Sequence, residues 1–290
     1  YTNPYYTVDG VSRSLFLDST KIDSAEAGTV EYLSDTLELG VLYKIPISED
    51  NSVALTPFYE DVELEATEES PPDITEFIEN NPDNKGLGFR TAIAKDTLND
   101  FIFPSAGTYA SAGLEMMIPG SDLEYYKINL TASQYIQLAR SGLSVKVEGG
   151  IGYGGDYRED ASLPFYKNYF AGGPNSVRGF RARSLGPKDS GDTPEPLGGD
   201  RRILGNVELL SPAFGSVDKK DKRVVAFLDA GQVYGPSQDV NLDEIRYSAG
   251  IALQWYNILG PLTLSYAYPL NDEEGDNVQE FQISLGTLFR

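Results

Sequence analysis

The feature that most restricts what this chain can fold into is a two-residue alternation of apolar and polar side chains, repeated between turn signals over nearly its whole length. In Tyr247-Ser248-Ala249-Gly250-Ile251-Ala252-Leu253-Gln254-Trp255 the odd positions are apolar or aromatic and the even ones small or polar. Leu262–Tyr268 and Phe281–Phe289 repeat the split. Successive side chains of a strand point to opposite faces, so this period predicts β-strands with one greasy and one wet face. Earlier segments follow the rule near Val11–Asp18, Leu37–Ile47, Val53–Val62, Leu87–Lys95, Tyr109–Ile118, Tyr126–Leu138, Leu143–Tyr153, Arg202–Leu210 and Val224–Tyr234. About twelve strands are expected, separated by Gly, Pro, Asn and Asp.

No window approaches the roughly 18 apolar residues of a membrane-spanning helix. A barrel strand needs only about 9–11 residues, and its alternation averages its hydropathy away. A soluble sandwich would alternate too, burying the apolar set. Loop lengths favour the barrel: Ser19–Thr29, Glu63–Asn84 and Gly154–Asp200 are long, whereas Ser48–Asn51 and Asn257–Gly260 are short. Long loops at one end and tight turns at the other are the habit of outer-membrane barrels. The expected fold is therefore all-β, an antiparallel transmembrane β-barrel. Nineteen tyrosines, thirteen phenylalanines and twenty-nine glycines suit strands, aromatic girdles and turns.

A net charge of −21 argues against a nucleic-acid partner. The only basic run, Lys219, Lys220, Lys222 and Arg223, reads as a solvated turn. With no cysteine and no histidine, thiol and imidazole catalysis and most zinc sites are excluded, and neither a cofactor nor a metal is expected. Glu63, Glu65, Glu68, Glu69, Asp73, Glu76, Glu79 and Asp83 crowd one long loop, and Asp272, Glu273, Glu274 and Asp276 another. Self-repulsion should keep both in water, and neither has the ligand spacing of a calcium loop. Gly150-x-Gly152-x-Gly154-Gly155 ends a strand and opens no helix, so it makes no dinucleotide site.

The least ordinary loop sequence is Ala171-Gly172-Gly173-Pro174-Asn175-Ser176-Val177-Arg178-Gly179-Phe180, where glycines flank a single arginine. Strand parity puts Ile203, Gly205, Val207 and Leu209 toward lipid and turns Arg202, Asn206 and Glu208 inward. In the next strand Val224, Ala226, Leu228 and Ala230 face out, leaving Phe227, Asp229 and Gly231 inside. Glu208 and Asp229 are then neighbouring carboxylates in want of a cation, which Arg178 could supply if its loop folds back into the lumen. Equally, each acid could face lumen water.

The arginine motif, with Leu185-Gly186-Pro187-Lys188 after it, closely resembles loop 6 of the BamA family of outer-membrane β-barrel assembly proteins. Thr2–Gly10, read as a turn, resembles that family too, as do Ile118-Pro119-Gly120-Ser121-Asp122, Ser248–Trp255 and Leu259-Gly260-Pro261-Leu262. The resemblance implies a sixteen-stranded barrel of the bacterial outer membrane, an insertase and not an enzyme, with nascent outer-membrane proteins and the lipid bilayer as partners. It places Val177, Arg178, Gly179 and Phe180 in the lumen as a clamp against Glu208 and Asp229. The terminal strand, with Phe281, Gly286 and Phe289, resembles a β-signal, although Arg290 follows the closing aromatic. Aligned so, the chain is the C-terminal portion of its parent, without the first four strands or the periplasmic POTRA region through which accessory lipoproteins bind. Such a portion is expected to be inactive in assembly, and to leave an exposed edge near Val11–Asp18 or close as a twelve-stranded barrel. The alternative is a two-partner-secretion pore, which shares the arginine loop.

Overall fold

The computed structural model describes residues 1–139, 142–157, 162–191, 194–213, 221–257 and 260–285. One antiparallel sheet runs through them: β1 (Thr2–Asn3), β2 (Ser12–Asp23), β3 (Leu33–Pro46), β4 (Asn51–Glu65), β5 (Asp83–Asp96), β6 (Gly107–Met117), β7 (Tyr125–Gln137) and β8 (Ser144–Asp156). After a long connection carrying β9 (Gly179–Phe180), it continues through β10 (Arg201–Pro212), β11 (Lys222–Tyr234), β12 (Arg246–Asn257) and β13 (Gly260–Pro269) to β15 (Phe281–Leu285). Each long strand pairs with its neighbour in sequence, and β14 (Val278–Gln279) leaves the wall to pair with β9. Each of the twelve segments expected from the alternation contributes a strand to this sheet, the last, Phe281–Phe289, being described only through Leu285.

The two faces part as parity requires. On β11 the outward Val224, Ala226 and Leu228 are exposed while Arg223, Val225, Phe227 and Asp229 are buried. On β4 the inward Thr56, Phe58, Glu60, Val62 and Leu64 are all buried. The outer band of Leu15, Leu17, Leu39, Ile93, Ile151, Leu228, Ile251 and Ile283 is exposed and apolar, the surface of a lipid-facing wall. The sheet coils around the connection between β8 and β10, which touches Glu60 of β4 on one side and Asp229 of β11 on the other. Among the described residues it does not close. β2 is covered by the first residues alone, Thr2 and Asn3 pairing with Ser14 and Arg13 and Tyr1 exchanging backbone bonds with Leu15, and among the described residues no strand lies beside the outer edge of β15.

Several boundaries differ from those expected. Thr2–Asn3 is a strand within the segment read as a turn, and β2 runs on to Asp23. β4 has 15 residues and ends at Glu65, so Glu63, Glu65 and Asp83 lie in the Glu63↔Asp83 and Leu33↔Glu65 ladders, not in a loop. Strands longer than the roughly 9–11 residues that cross hydrocarbon stand above it, where their outer faces carry acids. The acidic loop itself folds into α1 (Pro72–Asn80), with Pro72 as the first helical residue. Ile74 and Ile78, one turn apart, bury against Val62 and Leu64. In the other acidic loop Asp276 and Glu273 are not merely solvated, because they accept from Arg246 at 2.6 and 2.9 Å.

Candidate functional site

The connection from β8 to β10 turns back into the lumen, and glycines on both sides make this possible. Inward-facing Gly152 and Gly154 leave recesses for the loop: a Cβ on Gly152 would lie 2.7 Å from the Tyr169 ring, and one on Gly154 2.8 Å from Leu163. Gly172 and Gly173 adopt φ of +99° and +94°, a conformation costly for any side chain, and reverse the chain toward Val177. Val177 and Phe180 are fully buried with Ala171, Leu185 and Val233. Gly231 on β11 gives Val177 its place, since a Cβ there would stand 2.7 Å from its Cγ2.

That packing aims Arg178 at the wall. Its Nε and Nη2 donate to Asp229 Oδ2 and Oδ1 at 2.7 and 2.8 Å, and its backbone N–H donates to Oδ2 at 3.0 Å. Nη2 also lies 2.8 Å from Glu208 Oε1. The guanidinium sits 3.4 Å over the Phe227 ring, and Asn206 Nδ2 donates to Asp229 as well. The Asp229 side chain is wholly inaccessible. Burial alone would weaken the hold of Arg178 on its proton, but its bonds to Asp229 and the charges of both acids raise its pKa above the ordinary value. Arg178, Asp229 and Glu208 thus meet in one buried cluster, reached from β10, β11 and the loop. An acid left there without its cation would be penalised on the order of 3–5 kcal/mol.

A second ionic contact, not expected from the sequence, holds the start of the same loop. Lys167, in the 3-10 turn Phe165–Lys167, places Nζ 2.6 Å from Glu60 Oε2 on β4. Lys127 Nζ donates back to the Lys167 carbonyl at 2.5 Å. Beside it a ladder joins residues of four strands, β3, β5, β6 and β7: Arg90 donates to both oxygens of Glu38 at 2.6 and 2.7 Å and to Glu115 at 2.7 Å, and Tyr125 donates to Glu115 at 2.9 Å. The signal that could have found Glu60 is its parity with Phe58 and Val62. Nothing periodic marks Lys167.

Beneath the loop tip, Pro174–Ser176, the lumen holds a cavity of about 310 Å³. Its far end is closed by the 97–106 connection. There Arg223, read from sequence as part of a solvated turn, is buried, donates to the Pro104 carbonyl at 3.1 Å and to Gln254, and lies over the Phe103 ring. Parity turns it inward, which the charge of its neighbours disguised. Lys219 and Lys220 lie outside the described residues, as do Gly286 and Phe289 of the terminal strand. Phe281 is exposed on the outer face of β15.

Comparison with known proteins agrees with this architecture. The Omp85 superfamily domain matches residues 1–289. The outer membrane protein assembly factor BamA of Neisseria meningitidis serogroup B is 29% identical over 326 aligned residues, which take in 100% of this chain and 41% of that protein. The crystal structure of BamA from Haemophilus ducreyi lacking POTRA domains 1–3 superposes with a TM-score of 0.86 at 29% identity, over 98% of this chain and 60% of that one. CdiB from Acinetobacter baumannii, with a TM-score of 0.55 and 14% identity over 94% of this chain and 46% of its own, shares the fold alone. The chain thus spans about two fifths of the length of the Neisseria relative. A lipid-facing meander wrapped around an arginine loop, matched over almost every residue, places this chain in the bacterial outer membrane as a member of the Omp85 superfamily.

Proposed function

We propose that the chain forms barrel wall of an insertase that folds β-barrel proteins into the bacterial outer membrane, with the cluster of Arg178, Asp229 and Glu208 clamping the lumenal loop. The observation that carries this reading is the arginine loop locked inside the lumen by Asp229 and Glu208, in a wall that superposes on the Haemophilus ducreyi BamA with a TM-score of 0.86. Where a terminal strand of such a wall parts from its neighbour, free N–H and C=O groups are costly in hydrocarbon, so an incoming strand that pairs with them is favoured. Edge pairing supplies the affinity, and the alternating apolar face of the newcomer suits the same lipid. Val177, Gly179 and Phe180 bury the loop, and the acids fix its direction. Nascent outer-membrane proteins and the bilayer are the partners of this work, with accessory lipoproteins recruited through a POTRA region. No residue is assigned a bond-making step.

The test is Arg178→Ala in the full-length protein. The barrel should still insert and show heat-modifiable mobility, while loop docking and the assembly of other barrel proteins fall. Unchanged growth, assembly and mobility would overturn the reading.

A further inference from the structure

We infer that Gln282 is the positioning residue through which the arginine loop holds the terminal strand on the barrel wall. Over its described residues, Phe281–Leu285, β15 pairs with Tyr266–Leu262 of β13. Of its side chains Phe281, Ile283 and Leu285 face outward and are exposed, while Gln282 turns inward and is 3% exposed. Its Nε2 donates at 2.7 Å to the carbonyl of Phe180, two residues beyond Arg178.

That bond ends a continuous seam. The Arg181 N–H donates to the Asn277 carbonyl at 2.7 Å, Phe180 pairs with Val278, and Gly179 pairs with Gln279. The Ala267 N–H then donates to the Glu280 carbonyl at 2.9 Å, which brings the segment onto β13. Residues 179–181 therefore bind the stretch that leads into β15, and Gln282 is the one side chain of β15 itself shown bonding to the loop. Arg178 fixes the other end of this short span to β10 and β11.

Two further atoms argue that the arrangement has an alternative. Gln282 Oε1 and Ser265 Oγ are buried without a hydrogen-bond partner, and Ser265 faces Gln282 directly across the β13–β15 ladder. The amide donates to the loop while its cross-strand neighbour stays unsatisfied. Buried polar atoms normally find partners, so an unpaired hydroxyl opposite the amide gives Gln282 a second place to bond once Phe180 withdraws. Loop in, the amide pins β15 from the lumen side; loop out, it turns to its neighbour and β15 keeps only its own ladder. What this coupling is for rests on the insertase reading, in which the terminal strand must part from the wall's own contacts to meet a client. The coupling itself does not.

The experiment is hydrogen exchange, read by mass spectrometry on the full chain in lipid nanodiscs, of the peptide covering 281–285. Gln282→Leu and Arg178→Ala should each speed exchange there by about tenfold, the effect of losing one hydrogen-bonded link. The double variant should exchange no faster than the quicker single one, because both break the same connection. Gln282→Glu, whose carboxylate cannot donate to a carbonyl, should behave as Gln282→Leu does and guards against a packing effect of leucine. Exchange in β7 and β8 should stay as in the parent. Terminal-strand exchange unaltered in both Gln282 variants, or multiplicative effects in the double variant, would overturn the proposal. Coupling present while Gln282→Leu leaves barrel-protein insertion into liposomes untouched would uphold it and count against the insertase reading.

Discussion

The lumenal loop is tied to opposite walls by two cations that work differently. At the β10–β11 wall Arg178 presents a planar fork to Asp229, shares a third contact with Glu208, and has its own backbone N–H bound by the same carboxylate. At the β4 wall Lys167 meets Glu60 through one nitrogen and rests 5.5 and 5.4 Å from the rings of Tyr125 and Tyr166. A fork fixes orientation as well as distance, whereas an ammonium is a point charge that tolerates rotation. The first contact therefore sets where the Val177–Phe180 segment points. The second keeps the start of the loop against the wall without dictating its angle.

The largest effect should come from removing the acid that the fork grips. Asp229→Ala strands a buried guanidinium and frees the Arg178 N–H at once, so a loss on the order of 3–5 kcal/mol is expected. The measurement is the denaturant midpoint of the barrel in detergent micelles. Glu208 remains in place, and if it can take over the arginine unaided, the loss will shrink below that of an ordinary hydrogen bond and the two walls will look alike.

Arg178→Lys asks for less and sharpens the distinction. The charge is kept while the paired bonds to Oδ1 and Oδ2 are lost, along with the flat contact on Phe227 at 3.4 Å. A loss of roughly 1.5–3 kcal/mol is expected, the range for hydrogen bonds to charged groups. Proteolysis of the loop should increase at the same time. A lysine that serves as well as the arginine would mean that charge, and not geometry, holds this end.

Strand parity made one of these ends legible from the residues and half of the other. An acid between outward-facing Leu228 and Ala230, or between Val207 and Leu209, can only point inward, so Asp229 and Glu208 follow from the alternation. Glu60 follows by the same rule, flanked on its own face by Phe58 and Val62. Lys167 does not, because the path of a long loop is set by what it packs on, here the recesses at Gly152 and Gly154, and no local period records that. Those glycines look in sequence like a failed nucleotide loop. Their use is to leave room. Charge hides structure in two places: Pro72–Asn80 carries its Ile74 and Ile78 stripe among acids that suit a solvated loop, and Arg223 sits in a basic run yet faces the lumen. The seam between β9 and β14 depends on contacts between distant segments, which alternation cannot report.

The smallest effect should follow Lys167→Arg. The substitution keeps the cation beside Glu60 Oε2, the site has no fork to disturb, and the bond that Lys127 makes to the residue 167 carbonyl belongs to the backbone and is kept, so the change is one of volume. A near volume-conserving exchange of this kind is expected to shift stability by less than about 1.5 kcal/mol, measured by the same denaturant midpoint. The reciprocal pair of substitutions thus separates the anchors: arginine should replace lysine at β4 with little loss, and lysine should fail to replace arginine at β10–β11. Equal losses at both sites would show that the β4 anchor is shaped as closely as the other, and that the loop is directed from both walls.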